Sequence, residues 1–198
     1  MTQRPLRGIN HVGVTVPDIE AATTFLIEGL GARVIYESFS PRQPPQGSPE
    51  LDRDLNLAPG TQLVATRMIQ VGIGPDIELF QLKADDQRPA VRPSDFGLQH
   101  LAFYADDIRE ATRRFEAAGG KMLSRPNPTL FPKEQGDGNL FCYGQTPWGM
   151  MIEFITLASP MAYESDTPLR RWQSNTYSPL RCETSAVNRD NREWRQQS

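Results

Sequence analysis

The chain has 198 residues, of which 38% are hydrophobic and 23% charged, and this length suits one large domain or two small fused ones. Its 21 basic and 24 acidic residues leave a formal charge of −3, which argues against nucleic-acid binding, since that needs a concentrated positive field. The chain has two cysteines, no apolar stretch at its N-terminus and no long apolar run. We therefore expect a cytoplasmic protein without a disulfide framework, a secretory signal or a membrane span.

The sequence contains an internal repeat. The stretch HVGVTVPDIEAATTFLIEGLGARV, which begins at His11, aligns without a gap with HLAFYADDIREATRRFEAAGGKML, which begins at His100. Further on, IELF at 77–80 resembles IEFI at 152–155, at an offset that is shorter by 14 residues. We expect the additional residues of the first unit to form a loop at 41–60, where proline and glycine are frequent. The repeat predicts two copies of one structural unit.

Each unit predicts the order βαβββ. An apolar or alternating strand precedes an aspartate, Asp18 or Asp107, that can cap a helix with apolar residues at helical spacing. Glycines at 29 and 31, and at 119 and 120, predict the ends of these helices. The predicted strands of the first unit are 9–16, 32–38, 63–71 and 77–83, and those of the second are 98–105, 121–124, 139–144 and 150–157.

The domain organisation follows from the repeat. We expect a first βαβββ module at 1–83 with the 41–60 insert, a connector at 84–96, a second module at 97–157 and a C-terminal tail at 158–198. The tail is polar and aperiodic, which favours partial disorder, although its few aromatic residues also allow an arm packed on the body or on a partner chain. Together the elements predict an α+β fold.

Strand alternation selects the candidate site residues. The valines of the first strand are expected to face the helix, so His11, Gly13 and Thr15 point to the opposite, concave side of the sheet. The same reasoning directs His100 and Tyr104 to the concave side of the second unit. Glu78 and Glu153 are embedded in apolar strands, where a carboxylate needs a cation. The chain has only two histidines and both fall at the same repeat position, which favours a metal site over two unrelated core or surface histidines.

This pattern resembles the vicinal oxygen chelate superfamily, which includes glyoxalase I, methylmalonyl-CoA epimerase, extradiol dioxygenases and the fosfomycin and bleomycin resistance proteins. The segments that carry the resemblance are INHVGVTVPDIEAA, PDIELFQ, LQHLAFYADDIREA and TPWGMMIEF. The resemblance implies paired βαβββ modules, a U-shaped mixed sheet as in glyoxalase and bleomycin resistance proteins, and a divalent metal in its cleft. It also implies four metal ligands, at His11, Glu78, His100 and Glu153.

The types of the four ligands limit which metal ions and which reactions are expected. Two imidazoles and two carboxylates suit one divalent ion such as Zn, Mn, Co, Ni or Fe. Four protein ligands leave an octahedral ion two positions for adjacent substrate oxygens. Extradiol dioxygenases and fosfomycin transferases use one carboxylate, so Glu78 counts against them. All four ligand types resemble those of glyoxalase I, whereas methylmalonyl-CoA epimerases commonly have glutamine in place of Glu78.

We expect a metal-dependent epimerase or isomerase that moves a proton on the carbon next to a carbonyl, through an enediolate, on a small hydroxyketone or ketocyclitol. Glu78 and Glu153 are both candidates for the catalytic base. One alternative is a lactoylglutathione lyase like glyoxalase I, which would use basic residues at the cleft mouth; others are an iron-dependent dioxygenase and a drug-binding resistance protein. The candidate basic residues are Arg33, Arg42, Arg67 and Arg125, and the candidate pocket residues are Thr15, Phe80, Tyr104 and Met151.

We also expect a homodimer, because open sheet edges and the aromatic residues of the tail favour association. The sequence leaves open whether one chain forms a complete site or two chains share it by exchanging modules. Cys142 lies between two aromatic residues of a predicted strand, which indicates a small buried residue rather than a reactive one.

Overall fold

The structure is a computed structural model, and it describes residues 5–172. The first module forms a four-stranded sheet in the order β1-β4-β3-β2, in which β1 runs parallel to β4 and the other pairs are antiparallel. Its elements in chain order are β1 (His11–Val16), α1 (Ile19–Leu30), β2 (Arg33–Phe39), α2 (Pro49–Asp54), β3 (Gln62–Gln70) and β4 (Asp76–Lys83).

The second module repeats this arrangement. Its sheet has the order β5-β9-β8-β6, with β5 parallel to β9, and β7 also pairs with β8. The elements are β5 (Leu101–Tyr104), α3 (Ile108–Ala117), β6 (Lys121–Met122), β7 (Asn127–Pro128), β8 (Leu140–Gln145) and β9 (Met151–Thr156). The α+β class and the two βαβββ units are therefore confirmed; β7 is an additional short strand that the sequence did not indicate.

Both long helices begin at the predicted aspartates. The side chain of Asp18 accepts a hydrogen bond from the backbone N–H of Ala21 at 2.8 Å, and that of Asp107 accepts two, from the N–H groups of Arg109 and Glu110 at 3.0 Å. Helix α1 ends at Gly31, whose φ of 67° lies in the left-handed region that favours glycine.

The two modules are held together by their helices. Phe25 on α1 packs edge-on against Phe115 on α3, with ring centroids 5.2 Å apart, and against Trp148 at 5.4 Å. A Cβ at Gly29 would lie 3.3 Å from the Cβ of Ala118, so glycine allows the helices to approach closely here. One core results, and it includes the helix-facing side chains of both sheets, among them Val14, Val16, Leu79, Ile152 and Phe154.

This packing separates the two sheets within one chain. Because α1 and α3 contact each other, each sheet turns its helix-covered face toward the shared core and its other face away from it. Among residues 5–172, β1 pairs with β4 alone and β5 pairs with β9 alone, so both are edge strands. The described residues thus form two sheets, one in each module, on the two sides of the shared core.

The insert at 41–60 is not simply a loop, as we had expected. It contains α2, which begins at the N-cap Ser48, whose hydroxyl accepts the N–H of Leu51 at 3.2 Å, and which has Pro49 at its first position. Gln46 also forms a two-way backbone bridge to Leu63, with N–O distances of 2.9 and 2.7 Å. Ser48 and one of the prolines that suggested a loop here start a short helix instead.

The described part of the tail packs on the second module. Met161 is buried, and a single 3₁₀ turn follows at Ala162–Ser165. Arg171 contacts Glu134 at 3.1 Å, and the backbone carbonyl of Trp172 accepts a hydrogen bond from Tyr104. Up to residue 172 the tail is therefore a packed arm, and the prediction for 173–198 lies outside the described residues. In the described part of the chain, no helix has the length and apolarity that crossing a membrane requires.

Candidate metal centre

The first module carries one histidine–glutamate pair, which we call the N-terminal half-site. Nε2 of His11 lies 3.3 Å from a carboxylate oxygen of Glu78. β1 and β4 are parallel, with Gly13 opposite Glu78 in their register. The side chains of His11 and Glu78 are 40% and 23% exposed, so the pair is open to solvent on the face turned away from the core.

The second module carries the equivalent pair, the C-terminal half-site. Nε2 of His100 lies 2.9 Å from a carboxylate oxygen of Glu153. Tyr143 on β8 is directly opposite Glu153 in the antiparallel register, and its ring packs edge-on to His100 with a centroid distance of 5.4 Å. Burial raises the pKa of Glu153 above its usual range, and the nearby His100 and Arg171 offset this only in part.

An amide side chain orients each histidine. Nδ1 of His11 lies 2.8 Å from Oδ1 of Asn10, and Nδ1 of His100 lies 3.0 Å from Oε1 of Gln99. An amide oxygen accepts a hydrogen bond from a protonated Nδ1, and this contact turns Nε2 of each ring toward its glutamate. We did not identify Asn10 and Gln99 from the sequence, although they occupy equivalent repeat positions, which was the available signal.

The four predicted ligands form two pairs in the single chain, not one cluster. Among residues 5–172, no three histidine, cysteine, aspartate or glutamate side chains are close enough to hold a metal ion together. Each pair lies on the sheet face opposite its helix, and the helices pack against each other. The donor types nevertheless fit a divalent ion, because each half-site presents an imidazole nitrogen and a carboxylate oxygen at close range.

The predicted pocket residues divide between the half-sites. Thr15 is exposed and lies opposite Phe80 in the β1–β4 register, and the Phe80 ring covers Gly13 at 3.5 Å from a Cβ placed there. Met151 lies on the Glu153 face of β9 and is half-buried. Tyr104 is 39% exposed, and its hydroxyl donates to the carbonyl of Trp172 at 2.6 Å, so the tail reaches this side of the second sheet.

The prediction that Arg67 lies at the cleft mouth was wrong. Arg67 is 1% exposed and lies on the helix-facing side of β3, where it bonds Glu20, Glu37 and the hydroxyl of Thr23. It joins α1 to β2 and is not available to a substrate. Cys142 is buried, as expected, and burial raises the pKa of its thiol to about 11.

The fold and the repeated pairs match a known family. The Glyoxalase/Bleomycin resistance protein/Dioxygenase superfamily matches residues 8–154, and the chain therefore belongs to this superfamily. The match covers both half-sites and ends within β9, before the tail.

Individual relatives refine this placement. The chain is 33% identical over 178 residues to a 2-epi-5-epi-valiolone epimerase of Actinomyces sp, and the alignment covers 87% of this chain and 93% of the relative. A glyoxalase family protein of Bacillus cereus superimposes with a TM-score of 0.59 at 16% identity, over 79% of this chain and 97% of that one. Glyoxalase I of Zea mays superimposes with a TM-score of 0.51 at 17% identity, over 74% of this chain and 43% of that one. At these identities the two structures support the fold alone, whereas the relative from Actinomyces is named as an epimerase.

Proposed function

We propose that the protein is a metal-dependent epimerase that inverts a carbon next to the carbonyl of a ketocyclitol. The observation that carries the proposal is the pair of equivalent contacts between a histidine Nε2 and a glutamate carboxylate, at 3.3 and 2.9 Å. The substrate class is supported by the relative named as a 2-epi-5-epi-valiolone epimerase, which aligns over most of both chains. A ketocyclitol is a ring ketone with hydroxyl groups, so its carbonyl and a neighbouring hydroxyl offer two adjacent oxygens.

One divalent ion would be held by His11 and Glu78 of one copy of the chain together with His100 and Glu153 of a second copy, because the two pairs lie apart within residues 5–172 of a single chain. When bound, such an ion supplies Lewis acidity, which stabilises the negative charge that develops on the carbonyl oxygen as the neighbouring carbon loses its proton. Asn10 and Gln99 hold the Nδ1 side of the two histidines, so that both Nε2 atoms are directed toward the glutamates.

The protein's own part in the reaction is proton transfer by the two glutamates. One carboxylate removes the proton from the carbon next to the carbonyl, and that C–H bond breaks. The carboxyl group of the other half-site returns a proton to the opposite face of the same carbon, and a new C–H bond forms there with inverted configuration. The step involves no net oxidation, and proton exchange with water resets the two carboxyl groups.

The test combines metal content with proton exchange. We expect elemental analysis to find about one divalent ion per chain in the wild type, and much less in His11→Ala and Glu153→Ala. Glu50→Ala is the control, because Glu50 is a solvent-exposed carboxylate on α2. In D₂O, the loaded wild type should exchange the hydrogen next to the carbonyl of 2-epi-5-epi-valiolone, followed by NMR, and the two site variants should not.

Two outcomes would contradict this proposal. One is a loaded protein that leaves the ketocyclitol hydrogens unexchanged. The other is conversion of the hemithioacetal of glutathione and methylglyoxal in place of the ketocyclitol, which would favour the lactoylglutathione lyase reaction. The burial of Arg67 removes one of the four basic residues on which glutathione binding was predicted to depend.

A further inference from the structure

We infer that the C-terminal arm, residues 158–172, forms the part of the site that selects the substrate, and that Arg171 and Glu134 together bind two neighbouring hydroxyl groups of a neutral ring. The inference rests on the proposed epimerase function and adds the residues that recognise the substrate away from the reacting carbon. A site built to hydrogen-bond additional hydroxyl groups rejects a simple hydroxyketone that lacks them.

The C-terminal arm is fixed to the second module at several points. The backbone N–H of Tyr163 donates to the carbonyl of Lys133 at 3.1 Å, and Lys133 also pairs with Asp166 through its side chain. The hydroxyl of Tyr163 accepts a hydrogen bond from the backbone N–H of Arg171 at 2.9 Å. Met161, near the start of the arm, is buried. These contacts hold Arg171 in a defined position on the module.

The arm lies on the same face of the second sheet as the C-terminal half-site. Tyr104 shares its strand face with His100, and its hydroxyl donates to the carbonyl of Trp172 at 2.6 Å. Ile155 is opposite Tyr104 in the β5–β9 register and lies two residues after Glu153, on the same face of β9. Ile155 is only 4% exposed, although this face is turned away from the helices. The face is therefore covered from outside, and the arm reaches it at Tyr104.

The arm carries one member of an ion pair at the rim of the half-site. Nη1 of Arg171 lies 3.1 Å from a carboxylate oxygen of Glu134, and both side chains are about one third exposed. Burial raises the pKa of Glu153, and His100 opposes this rise. The charge of Arg171 also lowers this pKa and that of Glu134 raises it, so both groups lie near the Glu153 carboxylate. Tyr143, which packs against His100, has a pKa raised by burial and also by Glu134.

This pair offers a donor and an acceptor side by side. Within the described part of the chain, the guanidinium of Arg171 bonds another side chain through Nη1 alone, so Nε and Nη2 can donate to a ligand. The second carboxylate oxygen of Glu134 can accept a hydrogen bond. One hydroxyl group of a ring can accept from Arg171 while its neighbour donates to Glu134. Because the pair has no net charge, it suits a neutral ring better than a phosphate ester or a carboxylate.

Two aromatic side chains lie beside the pair. The rings of Tyr104 and Trp172 have centroids 6.0 Å apart, and the two residues are 39% and 56% exposed. Their apolar surface is available to the C–H side of a ring whose hydroxyl groups contact the pair.

The extent of the similarities supports a role of the arm in selecting the substrate. The superfamily match ends at residue 154, before the arm begins. The alignment with the epimerase of Actinomyces covers 87% of the chain, so it must continue past residue 154 and into the arm. The arm is thus outside the part matched by the superfamily and inside the part shared with the relative named as an epimerase.

The test compares a ketone that has additional hydroxyl groups with one that lacks them. The first is 2-epi-5-epi-valiolone, and the second is 2-hydroxycyclohexanone, which has the carbonyl and one neighbouring hydroxyl alone. Hydrogen exchange in D₂O, followed by NMR on the metal-loaded protein, gives kcat/KM for both. We expect Arg171→Met to lower kcat/KM for 2-epi-5-epi-valiolone by about 10- to 100-fold and to change that for 2-hydroxycyclohexanone by less than about twofold. Glu134→Met should show the same selective loss.

Two further measurements exclude a merely structural effect. The loss for 2-epi-5-epi-valiolone should occur mainly in KM, because a contact away from the reacting carbon binds the ground state and the transition state alike. The metal content of Arg171→Met should equal that of the wild type. A variant that displaced Glu153 would instead lower kcat and affect both ketones, since both depend on the same proton transfer.

Arg170→Met is the matched control. Arg170 precedes Arg171 on the arm and pairs with Glu164, another residue of the arm, at 3.3 Å. This variant therefore also removes an arginine and an ion pair from the arm, but it leaves the pair between Arg171 and Glu134 in place. Its kcat/KM for both ketones should stay within about twofold of the wild type.

The outcomes distinguish this inference from the proposed function. If the loaded wild type exchanges neither ketone, the proposed function fails and this inference fails with it. If the wild type exchanges 2-epi-5-epi-valiolone but Arg171→Met leaves its KM unchanged, or lowers kcat/KM for both ketones equally, the arm does not select the substrate while the proposed function stands. A selective loss in Arg171→Met, with Arg170→Met unchanged, supports the inference.

Discussion

The orientation of the two histidines depends on the residue that precedes each of them. Asn10 and Gln99 differ in length, yet each places its amide oxygen within 3.0 Å of Nδ1 of the next residue. A ring held in this way presents Nε2 on the side of the glutamate, where a metal ion would bind, without first having to rotate. The same arrangement in both repeats indicates that it serves the half-sites and not the local packing of one strand.

Replacing Gln99 should therefore weaken metal binding without unfolding the protein. We expect Gln99→Leu to reduce the affinity for Zn²⁺ by about 10- to 100-fold, because the ring of His100 loses the side chain that holds it in place. Gln99→Glu keeps an acceptor at this position and should retain an affinity at least equal to that of the wild type. Competition with a chelator of known affinity measures the effect. An unchanged affinity in Gln99→Leu would show that Gln99 does not position His100.

The sequence allowed us to predict the site residues that recur in both repeats. It did not allow us to predict site residues whose position depends on how two strands pair. His11 and His100, like Glu78 and Glu153, are recognisable because rare or charged residues recur at equivalent positions in apolar strands. Tyr143 contacts His100 only because β8 pairs with β9 in a register that places it opposite Glu153. That register is set by long-range packing, and no local pattern around Tyr143 indicates it.

At the scale of elements, Arg67 connects three parts of the first module. From β3 its guanidinium bonds Glu20 and Thr23 on α1, and also Glu37 on β2. The neighbouring carboxylates raise the pKa of Arg67 against the opposing effect of its burial, so the side chain stays charged. The group acts as an internal brace that holds α1 on its sheet.

Removing this brace should cost stability and spare the metal site. We expect Arg67→Met to lower the free energy of unfolding by about 1–3 kcal/mol, since it removes charged hydrogen bonds but leaves Glu20 and Glu37 partly exposed to water. Arg53→Met is the control, because Arg53 pairs with Glu50 at the surface and its loss should change stability by no more than about 0.5 kcal/mol. Urea denaturation measures both. A loss of metal at full stability in Arg67→Met would instead place Arg67 in the site.

The elements themselves were largely predictable, because their signals are local. Asp18 and Gly31 mark the two ends of α1, and the structure has the helix between them. The insert at 41–60 was more difficult, because its prolines and glycines are typical of loops. Only the combination of Ser48 as a cap with Pro49 after it indicates that a helix starts there.

At the scale of the whole molecule, the sequence did not allow us to predict how the two modules pack against each other. Each module has an amphipathic helix, and the apolar stripe of such a helix must be buried. The sheet of the same module already buries most of this stripe, so the pattern does not indicate a second helix as partner. The back-to-back packing depends on details of shape, such as the fit of Gly29 against Ala118 and the edge-on contact of Phe25 with Phe115. The repeat therefore predicts two half-sites, and the packing decides that they lie apart in one chain.

Because the half-sites lie apart within residues 5–172, we expect metal binding to depend on the homodimer predicted from the sequence. Leu98 is 56% exposed beside the open edge of the second sheet, so Leu98→Glu would place a charge in the interface if the predicted homodimer uses this edge. We expect this variant to shift toward the monomer in sedimentation experiments at micromolar concentration and to lose metal in proportion, although all four ligands remain present.

Ile35 provides the matched control. It is 47% exposed on β2, at the edge of the first sheet farthest from β1, so Ile35→Glu introduces the same charge in place of an exposed apolar side chain away from the half-sites. This variant should remain a dimer and keep its metal. If Leu98→Glu became monomeric and still held one ion per chain, the ligands would have to meet within a single chain, and the packing of α1 against α3 would have to open to let them do so.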